Sequence, residues 1–146
     1  MSVLTRVLVA RVGAERVAFP VESVREVVDA PAVQPVPLAP DGIAGQVALR
    51  DAHLPVLDPA VLLGAARDAR GAGVALVLCE PAVALWVDDA QDIWDASSAE
   101  RRGVPSGADR VGVLQGLLQR GAEVAALVDP TALSRAVVAT LREFPR

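Results

Sequence analysis

Lysine and tyrosine are absent from this 146-residue chain, which also has one cysteine, one histidine and only 3% aromatic residues. Each scarcity removes a class of function. Arginine supplies all 14 basic residues against 18 acidic ones, so the net charge is −4 and no basic block forms. Nothing in that distribution attracts a phosphate backbone. Two Trp and two Phe are too few for the stacking platforms of single-strand-binding barrels, so no nucleic-acid partner is expected. The lone Cys79 excludes an internal disulfide framework and, within the apolar run Val74–Cys79, reads as a small hydrophobe. His53 stands without a second His or Cys nearby, so no metal site is expected. No apolar run reaches the ~18 residues of a membrane span, so no direct membrane insertion is expected. The N-terminus shows no apolar stretch followed by a small-residue cleavage site. A cytoplasmic protein is the simplest expectation. With 53% hydrophobic residues, the chain has ample material for a core.

What is present is a repeat. Residues 17–30 read Val-Ala-Phe-Pro-Val-Glu-Ser-Val-Arg-Glu-Val-Val-Asp-Ala, and residues 83–96 read Val-Ala-Leu-Trp-Val-Asp-Asp-Ala-Gln-Asp-Ile-Trp-Asp-Ala. Apolar, acidic and small residues recur in register 66 positions apart. A second echo, 71 positions apart, relates Leu54-Pro-Val-Leu-Asp-Pro-Ala-Val-Leu to Ala125-Ala-Leu-Val-Asp-Pro-Thr-Ala-Leu. Two segments repeating in the same order at nearly the same offset indicate two similar halves.

The local signals agree. Leu4–Val12 and Arg16–Phe19 flank Gly13-Ala14-Glu15, a hairpin pattern. Pro20 suits the first turn of a short helix, and Val21, Val24, Val27 and Val28 fall at helical spacing. Residues 30–42, with Pro31, Pro35, Pro37 and Pro40, read as an extended loop without a regular ladder. Ile43–Leu49 and Leu54–Leu57 form a second hairpin around Arg50–His53. Asp58-Pro59 has the N-cap and first-turn chemistry of a helix, stopped by Gly64. Residues 65–73 make the best internal boundary. Val74–Leu78 and Val83–Val87 pair across Glu80-Pro81, and Ile93-Trp94 lies in a short strand or turn. Residues 97–112 read as a mobile loop. Val113–Leu118 and Glu123–Val128 pair across Arg120-Gly121, and Asp129-Pro130 opens a final amphipathic helix through Leu133, Val137, Val138 and Leu141. Short strands joined by tight turns argue for small antiparallel barrels sharing a hydrophobic interface.

No constellation of residues suggests catalysis. Ser97, Ser98, Ser106 and Ser134 have no histidine at a motif spacing. Gly71-Ala-Gly73 lacks the Lys of a phosphate loop. Asp88, Asp89 and Asp92 lack the Gly and closing Glu of a calcium loop and read as a solvated acidic edge. Trp86 and Trp94 read as packing residues, with Trp94 also suited to anchor an interface. An unrelated β-barrel enzyme or an oligonucleotide-binding barrel is the alternative of a different class. It lacks the convergent titratable groups or the basic groove it would need.

The string Gly45-Gln-Val-Ala-Leu-Arg-Asp-Ala-His-Leu-Pro-Val-Leu-Asp58 resembles the pattern Gly-Val-x-Asn-Leu-Arg-Gly-x-x-x-Pro-Val-x-Asp of the chemotaxis coupling proteins, the CheW-like domains. Leu8–Asp58 matches that family's spacing. So does Val113–Asp129, where Gly116 and Gly121 stand at its glycines, and so does the apolar string ending at Asp88. The resemblance implies a mainly β fold of two small SH3-like five-stranded antiparallel barrels packed together, with short helices. The whole chain, 1–146, would be one domain, with subdomains at about 15–65 and 73–128 and a C-terminal helix at about 130–142. It implies a non-catalytic adaptor without cofactor that couples the cytoplasmic tip of chemoreceptors to the regulatory domain of a CheA-type histidine kinase. A divergent accessory protein, binding receptor or another adaptor without productive kinase contact, is the second reading. Arg50, Leu49 and Gly45 match the family's coupling turn, and Val24 and Glu26 fall on its first short helix, another coupling region. Arg50 on a short turn suits bidentate contact with a carboxylate. Two positions depart from the pattern: Ala48 replaces an Asn, and Asp51 replaces a Gly beside the Arg50 guanidinium. Asp51 therefore joins the candidate binding residues, either masking Arg50 or setting specificity.

Overall fold

A computed structural model describes residues 5–28, 33–38, 43–49, 52–59, 74–78, 83–104, 114–133 and 135. Eleven strands are described: β1 (Arg6–Val12), β2 (Glu15–Pro20), β3 (Val24–Val28), β4 (Ile43–Leu49), β5 (Ala52–Leu57), β6 (Val74–Leu78), β7 (Ala84–Val87), β8 (Asp89–Asp95), β9 (Glu100–Arg102), β10 (Leu114–Arg120) and β11 (Glu123–Val128). They form two sheets, ordered β8-β1-β2-β11-β10-β9 and β3-β6-β7-β5-β4. The mainly β expectation and the two-barrel plan hold. Each sheet also contains one parallel pair, β2 with β11 and β5 with β7, and one sheet has six strands.

The sheets cut across the expected subdomains at 15–65 and 73–128. The leading hairpin of the first half, β1–β2, lies with β8–β11, and that of the second half, β6–β7, lies with β3–β5. Each half therefore lends its first hairpin to the other's sheet. Register exposes the symmetry behind this exchange. Pairs Val24↔Leu78, Glu26↔Val77, Val27↔Leu76 and Val28↔Ala75 become Ala90↔Ala10, Asp92↔Val9, Ile93↔Leu8 and Trp94↔Val7 when 66 is added to the β3 number and 68 subtracted from the β6 number. The bulge falls at the same place in both, skipping Arg25 in one and Gln91 in the other. The parallel pair Val56↔Ala84 corresponds likewise to Leu127↔Ala18, by +71 and −66. The repeated segments therefore occupy like positions. The β1/β6 correspondence, shifted by 68, is too degenerate in Val, Leu and Ala to stand out in the sequence.

Three apolar clusters follow from this arrangement. One barrel is filled by Val47, Val56 and Ala84 with partly buried Leu54 and Trp86; the other by Val7, Val9, Ala18, Trp94, Leu118, Ala125 and Leu127. The largest cluster contains Val17, Phe19, Leu57, Val83, Leu85 and Val128, three symmetry-related pairs that meet between the sheets. Strand β2 serves both neighbours. Val17 and Phe19 join the shared cluster while Ala18 joins a barrel interior, so all three are buried. A strand covered on both faces reads as a continuous apolar run, as here.

The expected helix at Pro20–Val28 is a single 3-10 turn, Val21–Ser23, followed by strand β3. Ser23 Oγ donates to Pro20 O at 2.7 Å and closes that turn. The next residues are Val-Arg-Glu-Val-Val, whose β-branched side chains are stiff at χ1 and suit a pleated strand. Pairing with β6 then decides between two patterns that local spacing leaves ambiguous. The loop expected over 97–112 is regular at its start. Asp95 Oδ1 accepts from Ser97 N at 3.0 Å and Ser97 Oγ at 2.7 Å, capping the 3-10 turn Ala96–Ser98 ahead of β9. Asp129 Oδ1 accepts from Thr131 N at 3.0 Å and Ala132 N at 3.3 Å, the expected N-cap. Of the final helix, Pro130–Leu133 and Arg135 are described; the expected 130–142 span extends beyond them. At the first Asp-Pro, Pro59 is helical and Gly64 lies outside the described residues.

Candidate protein-docking site

Two elements carry the residues that the sequence nominates. The first is the β4–β5 hairpin. Its antiparallel register runs from Ile43↔Leu57 to Leu49↔Ala52, so Leu49 ends β4 and only Arg50 and Asp51 separate the strands in the chain. Arg50 and Asp51 lie outside the described residues. Ala48 and His53 face each other near this end, both exposed, and His53 is a strand residue. Among the described residues, no group of three or more His, Cys, Asp and Glu side chains could hold a metal.

Gly45 has a different position from a docking residue. It is buried with φ +153°, directly under the crossing segment at Gln34. Gln34 and Gln46 exchange two backbone hydrogen bonds, N to O, at 2.8 and 2.9 Å. A Cβ at Gly45 would come within 2.2 Å of Gln34 O, so only glycine admits this crossing. Its counterpart Gly116, 71 residues on, has φ +157° and lies under β9, where a Cβ would be 2.9 Å from Arg102 O. These glycines let a neighbouring segment close over each sheet.

The second element is β3, at the edge of its sheet. Val24 is half-buried and packs against the shared cluster, and Glu26 is half-buried opposite Val77. The exposed side chains of β3 are Arg25 and Val27, the latter 41% exposed. The family resemblance put Val24 and Glu26 forward; strand phase with the bulge at Arg25 exposes their neighbours instead. Val27 corresponds to Ile93, 66 residues on and 51% exposed on edge strand β8. Gly45 and Leu49 share β4 while Val24 and Glu26 lie on β3, and β3 and β4 are the first and last strands of the same sheet.

The acidic run divides into separate roles. Asp88 Oδ2 accepts from Gly13 N at 2.6 Å, and Asp88 N donates to Arg11 O at 2.8 Å, so Asp88 clasps the β1–β2 turn. Asp92 lies 3.5 Å from Arg120 Nη2, and Arg120 also lies 3.5 Å from Glu123. The Arg120 guanidinium covers the Trp94 ring at 4.3 Å. Trp94 is only 1% exposed, so it is a core residue and does not anchor an interface from the surface. Asp95 caps the turn that follows β8. The Ser97 hydroxyl and then its backbone N–H hold its carboxyl below the ordinary range, with a smaller contribution from Arg6.

No described helix is long and apolar enough to cross a membrane. The sequence matches the CheW-like domain family over residues 6–138. No curated protein matches. Among solved structures, the fold is similar to that of the scaffolding protein TtCheW from Thermoanaerobacter tengcongensis, at a TM-score of 0.77 and 18% identity. That likeness covers 91% of this chain and 89% of the other.

Proposed function

This chain belongs to the CheW-like domain family, and from that premise we propose that it is a non-catalytic scaffold linking chemoreceptors to a CheA-type histidine kinase. Its general role is that of a chemotaxis adaptor. The family match over residues 6–138 carries the reading. In this reading Arg50, between β4 and β5, supplies a charged contact, and Leu49 and Asp51 flank it. The β3 edge supplies a second contact. Its exposed Arg25 and Val27 touch the partner with half-buried Glu26 beside them, and Val24 packs against the shared cluster behind. Gly45 fixes the hairpin under Gln34. Both β3 and the β4–β5 hairpin belong to one sheet, an arrangement that suits a scaffold presenting two partners at a set spacing. The protein acts in the cytoplasm, where the receptor tip and kinase are found.

The accessory reading draws on the hairpin. Ala48, exposed on β4, stands where the family pattern has Asn, and Asp51 where it has Gly. Both changes sit around Arg50 and alter what the kinase would meet. Calorimetric titration against the regulatory domain of a CheA-type kinase and, separately, against a receptor cytoplasmic tip decides among the readings. Binding to both supports coupling, receptor binding alone supports the accessory role, and binding to neither refutes the proposal.

A further inference from the structure

The hairpin exchange described above makes each half of the chain incomplete alone. Strand β2 is held on one side by β1 of its own half and on the other by β11 of the opposite half. Strand β7 is held likewise by β6 and by β5. Every sheet therefore depends on contacts between the first half, through Pro59, and the second half, from Val74. The surface joining them is self-similar. Val17 and Val83, Phe19 and Leu85, and Leu57 and Val128 meet in one cluster as symmetry-related pairs. The only covalent tie between the halves is the chain between Pro59 and Val74. Its fourteen intervening residues can span up to roughly 50 Å when extended.

Nothing in this interface requires both halves to come from one chain. We propose that two copies of this protein can trade halves, forming a reciprocal dimer in which β2 of each copy pairs with β11 of the other and β5 with β7. The occupant of each half's open sheet edge is a second copy's complementary half, seated through the same register, Ala126↔Val17 and Val56↔Ala84, that closes the monomer. Such a dimer preserves all three apolar clusters and carries two copies of every docking surface. Exchange needs the halves to separate, so it occurs on folding and not between folded monomers. Its yield rises with concentration because it competes with closure within one chain.

Arg16 on β2 and Glu123 on β11 report on this contact, since Arg16 Nε lies 3.6 Å from Glu123 Oε2 and both side chains are partly exposed. In a Cys79→Ser background, full-length Arg16→Cys chains and Glu123→Cys chains are mixed, unfolded together, refolded, and treated with a short bismaleimide. The expected result is a between-chain product whose ratio to unlinked chain rises about tenfold for each tenfold rise in concentration while dimer is scarce. The same chains mixed after separate folding should give none. A single chain carrying both substitutions, refolded in dilute solution, should link within itself. Absence of between-chain product at every concentration overturns the proposal. So does equal product from chains that were never unfolded together, and so does failure of the double variant to link internally.

Discussion

The paired glycines allow the fold to be tested by a graded series. Gly45→Ala places a Cβ 2.2 Å from Gln34 O and 2.9 Å from its carbonyl carbon, both backbone atoms that cannot swing aside. Holding alanine at φ +153° costs about 1–3 kcal/mol of backbone strain. Relieving the collision requires the Gln34 segment to lift, losing two backbone hydrogen bonds worth about 0.5–1.5 kcal/mol each. The sum is near 4 kcal/mol, a large part of the ~5–15 kcal/mol that holds a domain together. Gly116→Ala shares the backbone strain, but its nearest contact is 2.9 Å, so the cost is about 2–3 kcal/mol. Gly121→Ala meets open space at φ +61° and costs about 1–2 kcal/mol. Gly103→Ala meets nothing and has no unusual φ, so it stays within about 0.5 kcal/mol of wild type. Urea unfolding followed by tryptophan fluorescence should rank the four in that order at constant m-value. A Gly45→Ala variant no less stable than Gly103→Ala would show that the Gln34 crossing does not close over β4.

Arg50→Glu should change the unfolding free energy in urea by about 0.5 kcal/mol or less, while weakening receptor or kinase binding by about 2–5 kcal/mol. Calorimetric titration that finds equal affinity would reduce Arg50 to a turn residue. Trp94→Ala removes the largest fully buried side chain and should cost about 3–5 kcal/mol in urea unfolding. Arg120→Ala, which removes the guanidinium over that ring together with its partly exposed ion pairs to Asp92 and Glu123, should cost nearer 1 kcal/mol. The Asp95 carboxyl should titrate below an ordinary aspartate by NMR, and Ser97→Ala should return it upward. Because its folded pKa lies below the unfolded value, its contribution to stability is present above the unfolded pKa and is lost as pH falls through the folded one.

Strands bounded by turns were legible in the sequence because period-2 alternation and Gly or Asp-Pro punctuation are local signals. The Gly13-Ala14 and Gly121-Ala122 turns have φ +61° at the glycine and no positive φ at the alanine, the pattern of a type II′ hairpin turn. The Asp129 cap was equally local. The strand at Val24–Val28 was not legible, since its three valines with Val21 fit a helical stripe as well as a pleated edge. Only β6, some 50 residues away in the chain, settles the choice. The hairpin exchange was invisible for a related reason: a repeat shows which segments are alike, not which sheet each one joins. At the candidate site, the family pattern pointed to the β4–β5 hairpin, but which side chains of β3 are exposed depends on the strand phase and the bulge at Arg25, both set by pairing with β6.

Duplication supplies a further way to separate folding from function. Buried positions must satisfy the same geometry twice, and they do: Val47 matches Leu118, Val56 matches Leu127, and Ala84 matches Ala18. Exposed positions carry no such demand, and some have diverged. Gln34 lies over Gly45 as Arg102 lies over Gly116, a shift of 68, so Val33 and Gln34 correspond to Arg101 and Arg102, giving β9 a charge that its counterpart lacks. Arg50 corresponds to Gly121, which the II′ turn uses at φ +61°. Folding explains glycine at such a turn position and gives no reason for arginine, which is why Arg50 remains the first residue to change in a binding test. Val27 and Ile93 run the other way. They stay apolar in both copies although they are 41% and 51% exposed on edge strands, where a charged residue would protect against unwanted pairing. Their stiff β-branched side chains suit a pleated strand, so the conformation that β3 and β8 share accounts for an apolar residue at this place in both.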